Sequence, residues 1–424
     1  MDTLKFIFRR KTMTIGTTAQ VHIRPATLHM PSFVTGRMDA HHVTRVEQLL
    51  GGEHLHVWKR PGPGAIMLAG NDYLCLASEP SLIAAQARTM LGHGGQALMS
   101  AVYLQAGSQQ HRLEEKFADF LSAEHTVLAQ SGYAANVGLM QSIAGPGVPV
   151  YLDMMAHASL WDGVQLGGGK IVPCLHNNMD HLRRQLDKHG AGVIVVDALY
   201  STDGSLAPLH EVVALAEKTG SVLVVDESHS LGTHGPRGAG LVIGAGLEER
   251  VHFRTASLAK AFAGRAGIIT CSNRFKGYFL SESRPAIFSS CLLNHELAWF
   301  DAAIDFVEQA DARRAALRRV TEEVRTGLGR LGYCVSEGSE QIIALEVGTE
   351  PRTLVLRKAL ENRGIHGAVF CAPATPKNRA LVRLTLNSAL SKREIAKLLD
   401  ACADMREEVD LENWTSTLRS RRMH

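Results

Sequence analysis

The sequence predicts an α/β protein: a mainly parallel sheet with crossover helices, followed by a smaller α+β domain. Two patterns support this. From about residue 110, short runs of Val, Ile and Leu without polar alternation are separated by amphipathic helical stretches. Strands of that kind are buried on both faces, as in a parallel sheet covered by helices. Past residue 300 one long helical stretch precedes shorter strands, which marks a second unit.

Taken in order, residues 1–65 read as an N-terminal arm, 66–295 as the large domain and 296–424 as the small C-terminal domain. The opening MDTLKFIFRRKTM is basic, with an apolar stretch too short for a signal peptide; Met13 is an alternative start. Leu113, Phe117, Phe120 and Leu121 recur at helical spacing, and Val127-Leu-Ala follows as a strand. Val150-Tyr-Leu, Val193-Ile-Val-Val and Val222-Leu-Val-Val are further strands, with helices over 178–189 and 208–219. A helix over about 296–330 leads to strands at Ile342-Ile-Ala-Leu, Ala368-Val-Phe and Leu381-Val-Arg-Leu-Thr-Leu, and a closing helix covers 391–406.

Composition excludes several classes. Lys and Arg number 45 against 42 Asp and Glu, a net +3 with no long basic stripe, so nothing points to nucleic acid. Arg419, Arg421 and Arg422 read as a solvated terminus. No segment approaches the ~20 apolar residues of a membrane span. Seven cysteines scattered without a CxxC pair suit reduced thiols, hence a cytoplasmic protein.

Ligands of such sheets gather at the carboxyl ends of the strands. Two runs end there in acids, Asp197 and Asp226. Asp226 opens Asp226-Glu-Ser-His229, and Lys260 follows 34 residues later in Thr255-Ala-Ser-Leu-Ala-Lys260-Ala-Phe-Ala-Gly264. A lysine carries a cofactor aldehyde when burial or a nearby cation lets its amine lose a proton. A pyridine ring is an electron sink when a buried carboxylate keeps its nitrogen protonated. Asp226 and Lys260 suit those two roles, whereas a helix cap and a surface lysine would not explain the apolar flanks of Lys260. Gln130-Ser131-Gly132-Tyr133 lies where a strand turns into a helix, so bare N–H groups and the Ser131 hydroxyl form a phosphate cradle. His157, just past Val150-Tyr-Leu, can lie flat against an aromatic cofactor, although a lone histidine there is more often structural.

Rival motifs fail on context. Ser257-Leu-Ala-Lys260 matches S-x-x-K, but Lys218-Thr-Gly220 precedes it and ends a helix, and no S-D-N is present. Around Gly167-Gly-Gly-Lys170 a phosphate loop needs glycine at 164 and Ser or Thr at 171, where Val164 and Ile171 stand. Histidines 229 and 234 lack zinc spacing, so no metal is expected.

The chain resembles the α-oxoamine synthases, fold-type I pyridoxal-phosphate-dependent transferases of the aspartate aminotransferase-like kind. The stretches that carry this are Asn71-Asp-Tyr-Leu, Ser131-Gly-Tyr-Ala-Ala-Asn136, His157-Ala-Ser, His176-Asn-Asn, Tyr200-Ser-Thr-Asp-Gly204, Val225-Asp-Glu-Ser-His229 and Ser257-Leu-Ala-Lys260, in family order through about residues 70–400. The resemblance implies that Lys260 holds pyridoxal 5'-phosphate as a Schiff base and later shuttles a proton. It pairs Asp226 with the ring nitrogen, stacks His157 on the ring, and sets His229 on the phenolic oxygen and Ser201 as a further polar contact. Ser131, Gly132, Tyr133 and Ser257 fall to the phosphate, and Arg383 to the amino-acid carboxylate with Asn71 and Tyr73 nearby. It also implies a homodimer whose site lies at the interface, with Ser289 and Ser290 reaching the neighbour's phosphate.

Departures narrow the branch. Met99-Ser-Ala-Val-Tyr-Leu-Gln105-Ala-Gly-Ser replaces a glycine- and arginine-containing stretch, Gln110 replaces a histidine, and Ser388-Ala389-Leu390 replaces Ala-Ala-His. Those positions shape the substrate pockets of biotin-pathway, haem-pathway and threonine-catabolic members. Ser159-Leu-Trp161-Asp-Gly163, Pro285-Ala-Ile-Phe-Ser-Ser290 and Val369-Phe-Cys371-Ala-Pro-Ala-Thr375 are instead similar to the quorum-sensing α-hydroxyketone autoinducer synthases. The implied reaction condenses a medium-chain acyl-CoA with S-adenosylmethionine or 2-aminobutyrate. Another α-oxoamine synthase, such as 8-amino-7-oxononanoate synthase, or an aminotransferase of the same fold is the alternative.

Overall fold

A computed structural model describes residues 30–92 and 98–423; the alternative start at Met13 and the first 29 residues of the expected arm lie outside them. Contacts divide the chain into two compact units, one ending at Glu53 and one beginning at His54. In the first, a helix over Ser32–His41 continues as a wider, π-helical run over His42–Leu49.

The second unit holds two sheets. The larger is formed by β2 (His125–Ala129), β3 (Pro149–Asp153), β4 (Lys170–Cys174), β5 (Val193–Asp197), β6 (Val222–Asp226), β7 (Phe253–Ser257) and β8 (Gly267–Cys271), in the order β2-β8-β7-β6-β5-β3-β4. Only β8 runs against its neighbours. Alternate residues of the apolar runs enter different cores. Val150, Leu152, Val195 and Val224 pack on one face, and Tyr151, Ile194, Val196, Leu223 and Val225 on the other. Burial of each such side chain favours folding by ~1.5–3 kcal/mol, which is why these runs carry no polar alternation.

The smaller sheet has the order β1-β10-β11-β9, from β1 (Ile66–Leu68), β10 (Ile365–Phe370), β11 (Ala380–Thr385) and β9 (Ile342–Gly348). Strand β1 pairs in parallel with β10. The strand that opens the expected 66–295 segment therefore hydrogen-bonds into the sheet of the expected 296–424 segment, and both fall within one compact unit. Three residues are too few to announce their sheet by periodicity.

Helices Met179–His189, Leu209–Thr219 and Lys392–Asp404 lie where the sequence pattern puts them. The long stretch near 296–330 is two helices, Asn294–Glu308 and Asp311–Arg330. Gln309 and Ala310 break it without Gly or Pro, so the apolar period runs through the break. A last helix, Thr415–Met423, follows the buried Trp414 and is tied to β9 by Ser416 Oγ, which donates to the Glu346 carbonyl at 2.8 Å. No disulfide joins the seven cysteines, and no helix among the described residues is long and apolar enough to cross a membrane.

Candidate active site

Three parallel strands end in buried acids on one rim: Asp153 on β3, Asp197 on β5 and Asp226 on β6. Asp226 is 3% exposed, and its carboxylate is held on both oxygens. Oδ2 accepts from Asn136 Nδ2 at 2.7 Å and Oδ1 from the Ser228 N–H at 2.8 Å. Asn136 lies on the helix Gly132–Ile143 and also reaches Ser159 Oγ at 3.0 Å. Burial, then the neighbouring Asp226, raises the Asp197 carboxyl well above the ordinary range. Its Oδ1 accepts the His157 N–H at 3.3 Å.

Lys260 lies in the hairpin between β7 and β8. Burial lowers its amine pKa, the Arg383 cation lowers it further, and Asp226 opposes both. The hairpin is fixed from beneath: Phe262 is buried, and its carbonyl accepts from Trp299 Nε1 at 2.9 Å. A Cβ on Gly264 would lie 2.5 Å from the Phe300 ring.

Across the rim, Ser131 caps the helix Gly132–Ile143, its hydroxyl accepting from the Ala134 N–H at 3.1 Å. Gly132 packs so closely on the end of β7 that a Cβ there would lie 2.4 Å from Ser257 Cβ. A side chain at Gly132 is excluded, and the helix start stays open beside Ser257. The Tyr133 ring is exposed and its hydroxyl donates to Asp162 Oδ2 at 2.5 Å. Ser290 approaches the same end of the helix, its carbonyl accepting from Gln130 Nε2 at 2.5 Å, while the Ser289 hydroxyl turns back to the Pro285 carbonyl.

His157 caps the helix Ala158–Gly167, Nδ1 lying 2.7 Å from Ser159 Oγ. Desolvation lowers its pKa and Lys260 adds to this against the pull of Asp226, although the residue as a whole is exposed. His229 is buried, and its pKa is driven well below the ordinary value by desolvation, Lys260 and Arg383. Its Nδ1 lies 2.5 Å from the Tyr73 hydroxyl, whose own pKa burial raises. Tyr73, expected beside the substrate, thus holds a ring expected beside the cofactor. Arg383 comes from the middle of β11 and is 5% exposed. Nη1 donates to the Ser201 carbonyl at 2.8 Å and Nη2 to Asn71 Oδ1 at 3.0 Å, with the guanidinium 4.5 Å above the Phe370 ring.

The sequence reading assigned no role to Asn136, Ser228 or Phe370. Asn136 stands one helical turn after Gly132, on the face that looks at the sheet, and that spacing is the signal that could have found it. Gln110, which replaces the family's histidine, is buried and donates to Glu114 Oε1 at 3.0 Å.

Pyridoxal phosphate fits these residues. Asn136 Oδ1 and Arg383 Nε are buried without a partner, and the start of the helix at Gly132 is bare where a side chain would fill it. A depressed lysine, a buried strand-end carboxylate and an open helix start answer to an aldehyde, a ring nitrogen and a phosphate. One cofactor carries all three, and the class so defined is the pyridoxal-phosphate-dependent transferases of fold type I.

Comparison with known proteins agrees. The aminotransferase class I and II family matches residues 63–402. The CAI-1 autoinducer synthase of Vibrio campbellii is 42% identical over 92% of this chain and 99% of its own length. The 8-amino-7-oxononanoate synthase of Marinobacter nauticus is 30% identical over 85% and 92%. The solved Sphingomonas wittichii serine palmitoyltransferase superposes with a TM-score of 0.80 at 25% identity, covering 89% of this chain and 97% of that one. A serine palmitoyltransferase of S. paucimobilis with bound PLP shows the same fold, with a TM-score of 0.82 at 24% identity over 90% and 100%. The chain belongs to the class I and II aminotransferase family, within its pyridoxal-phosphate-dependent α-oxoamine synthases.

Proposed function

We propose that the enzyme condenses a medium-chain fatty acyl-CoA with a small α-amino donor, S-adenosylmethionine or 2-aminobutyrate, giving an amino-ketone precursor of an α-hydroxyketone quorum-sensing autoinducer. The observation that carries this reading is the identity to a CAI-1 autoinducer synthase along nearly the whole of both chains. The substituted pocket positions at Gln110 and Ser388-Ala389-Leu390 support it over the 8-amino-7-oxononanoate alternative. The enzyme works in the cytoplasm as a homodimer, with Ser289 and Ser290 facing the neighbouring site.

When bound, pyridoxal phosphate supplies the electron sink that makes the α-proton of an amino acid acidic. Ser131, Gly132, Tyr133 and Ser257 hold its phosphate at the open helix start. Asp226, fixed by Asn136 and Ser228, holds the proton on the ring nitrogen. His229, kept neutral by burial and the cations around it, bonds the phenolic oxygen. Arg383 and Asn71 hold the donor carboxylate, with Ser201 behind the guanidinium. The Lys260 amine, deprotonated more readily for being buried beside Arg383, anchors the cofactor and then takes the α-proton. His157 covers the ring and orients the acyl carbonyl as coenzyme A leaves. Loss of the carboxylate precedes release.

The test incubates the cofactor-loaded protein with acyl-CoAs of graded chain length and each donor, reading thiol release and product mass. Free coenzyme A with an amino-ketone of matching length supports the proposal. A keto acid without thiol release would show transamination. Faster turnover of pimeloyl-CoA with alanine would show 8-amino-7-oxononanoate synthesis.

A further inference from the structure

Behind Arg383 lies a polar row, buried except at His176, that the reaction itself does not use. The loop Leu199–Leu206 closes on itself: its ends form an isolated antiparallel bridge, and the Tyr200 N–H donates to the Ser205 carbonyl at 2.9 Å. Ser201 sits within this loop and presents its carbonyl to Arg383 Nη1. His176, two residues past β4, grips both ends of the loop. Its ring stands edge-on to the Tyr200 ring at 4.4 Å and 90°, and its Nε2 lies 3.0 Å from Ser205 Oγ. The ring is fixed in turn by Asp153, whose Oδ1 is 2.9 Å from His176 Nδ1 and whose Oδ2 accepts the Asn177 N–H at 2.9 Å. Ser205 Oγ is also 2.7 Å from Asp203 Oδ1. On the far side, the Gly204 carbonyl accepts from the N–H groups of Ser339 and Glu340 at 3.1 and 3.3 Å.

Asp153, His176 and Ser205 have the order of a hydrolytic triad, but the burial of the serine rules that role out. Ser205 Oγ has one hydrogen and two close polar neighbours, so at least one of them donates to it, as Asp203 does when it is a carboxylic acid. Burial raises the Asp203 carboxyl, which suits that donation. At 6% exposure the serine meets no substrate. What such a row can do is hold a loop in one place.

We propose that His176, Asp153, Ser205 and Asp203 are positioning residues that set the Ser201 carbonyl, and through it the in-plane rotation of the Arg383 guanidinium. Phe370 lies against the face of the guanidinium, and its bonds to Ser201 and Asn71 hold its angle within that plane. A loop released at Ser205 frees one of those two bonds, so the fork no longer meets a carboxylate squarely. The inference rests on the reading of Arg383 as the donor-carboxylate ligand.

The experiment titrates S-adenosylmethionine and 2-aminobutyrate, separately, into the cofactor-loaded enzyme and follows the absorbance of the bound cofactor. Ser205→Ala, which removes only the hydroxyl, is compared with His176→Gln and Arg383→Gln. The expected result is a donor Kd about five- to tenfold weaker in Ser205→Ala, with kcat, the KM for acyl-CoA and the affinity for pyridoxal phosphate unchanged. Adding Ser205→Ala to Arg383→Gln should weaken donor binding no further. A lower melting temperature with unchanged donor Kd in both Ser205→Ala and His176→Gln, while Arg383→Gln binds weakly, overturns the positioning role alone. Unchanged donor binding in Arg383→Gln overturns the carboxylate reading and the inference with it. Should His176→Gln fail to fold, Ser205→Ala decides.

Discussion

The two sheets deliver functional groups in different ways. In the seven-stranded sheet the polar groups come after the strands: Asp153, Asp197 and Asp226 close β3, β5 and β6, and Ser131 and Lys260 stand in the turns after β2 and β7. In the four-stranded sheet Arg383 projects from the middle of β11, with β10 and β9 on either side. A buried guanidinium is costly unless its donors are satisfied. The acceptors of Nη1 and Nη2 of Arg383 lie 182 and 312 positions away in the chain, at Ser201 and Asn71. Strand-end chemistry is thus specified locally, whereas the arginine site exists only once distant segments assemble.

The sharpest way to break this comparison is at Lys260. Lys260→Ala should lower turnover by about 10³-fold or more while circular dichroism stays that of the wild type; unreduced product formation would remove the lysine from the mechanism. At the arginine end, Arg383→Lys keeps the charge but loses the fork. Its donor Kd should rise by roughly 10- to 100-fold with little change in acyl-CoA affinity, and equal losses for both substrates would count against a carboxylate site.

Next in size is Gly132→Ala, which forces a methyl group against Ser257. Overpacking there should cost ~1–3 kcal/mol of stability and weaken cofactor binding, read by thermal melting with and without pyridoxal phosphate. A variant that melts and binds like the wild type would mean that the helix start does not need its bare backbone. The smallest effect concerns pH. His229 is held well below its ordinary pKa in the folded protein, so the unfolded chain takes up the proton first, near ~6.5. The unfolded state then binds more protons, and stability should fall as pH drops through and below that value. His229→Asn should flatten part of that slope in melts between about pH 5.5 and 7.5; an unchanged slope would assign it to other groups.

These differences also explain what could be read from the sequence. Strands β2, β3, β5 and β6 of the large sheet were legible because burial on both faces leaves uninterrupted apolar runs, and Asp197 and Asp226 were legible as last residues of two of them; β4, β7 and β8, whose runs are broken by Lys170, Pro173, Arg254 or Thr270, were not. Ser131 and Gly132 could be seen because a strand passes there into a helix. The bond between Tyr73 and His229 spans 156 positions, and no local pattern announces it. Strand β1 has three residues and a partner near the other end of the chain. The break at Gln309 and Ala310 has no Gly or Pro to mark it. The positions of Arg383 and Lys260 came from family resemblance as much as from flanking residues, since a charged side chain within an apolar run does not say whether it is buried.

The reversed strand β8 has a consequence for how the enzyme comes into being. As an edge strand, β2 has β8 as its sheet partner, residues His125–Ala129 against Gly267–Cys271. During synthesis β2 and the Ser131 turn after it therefore wait for a segment made much later, and contacts so far apart in sequence close slowly. The same late segment completes the hairpin that carries Lys260. The phosphate-side turn and the lysine hairpin thus both depend on β8, so a chain made only through β7 has neither complete. Cofactor capture becomes a report that this edge of the large sheet has closed.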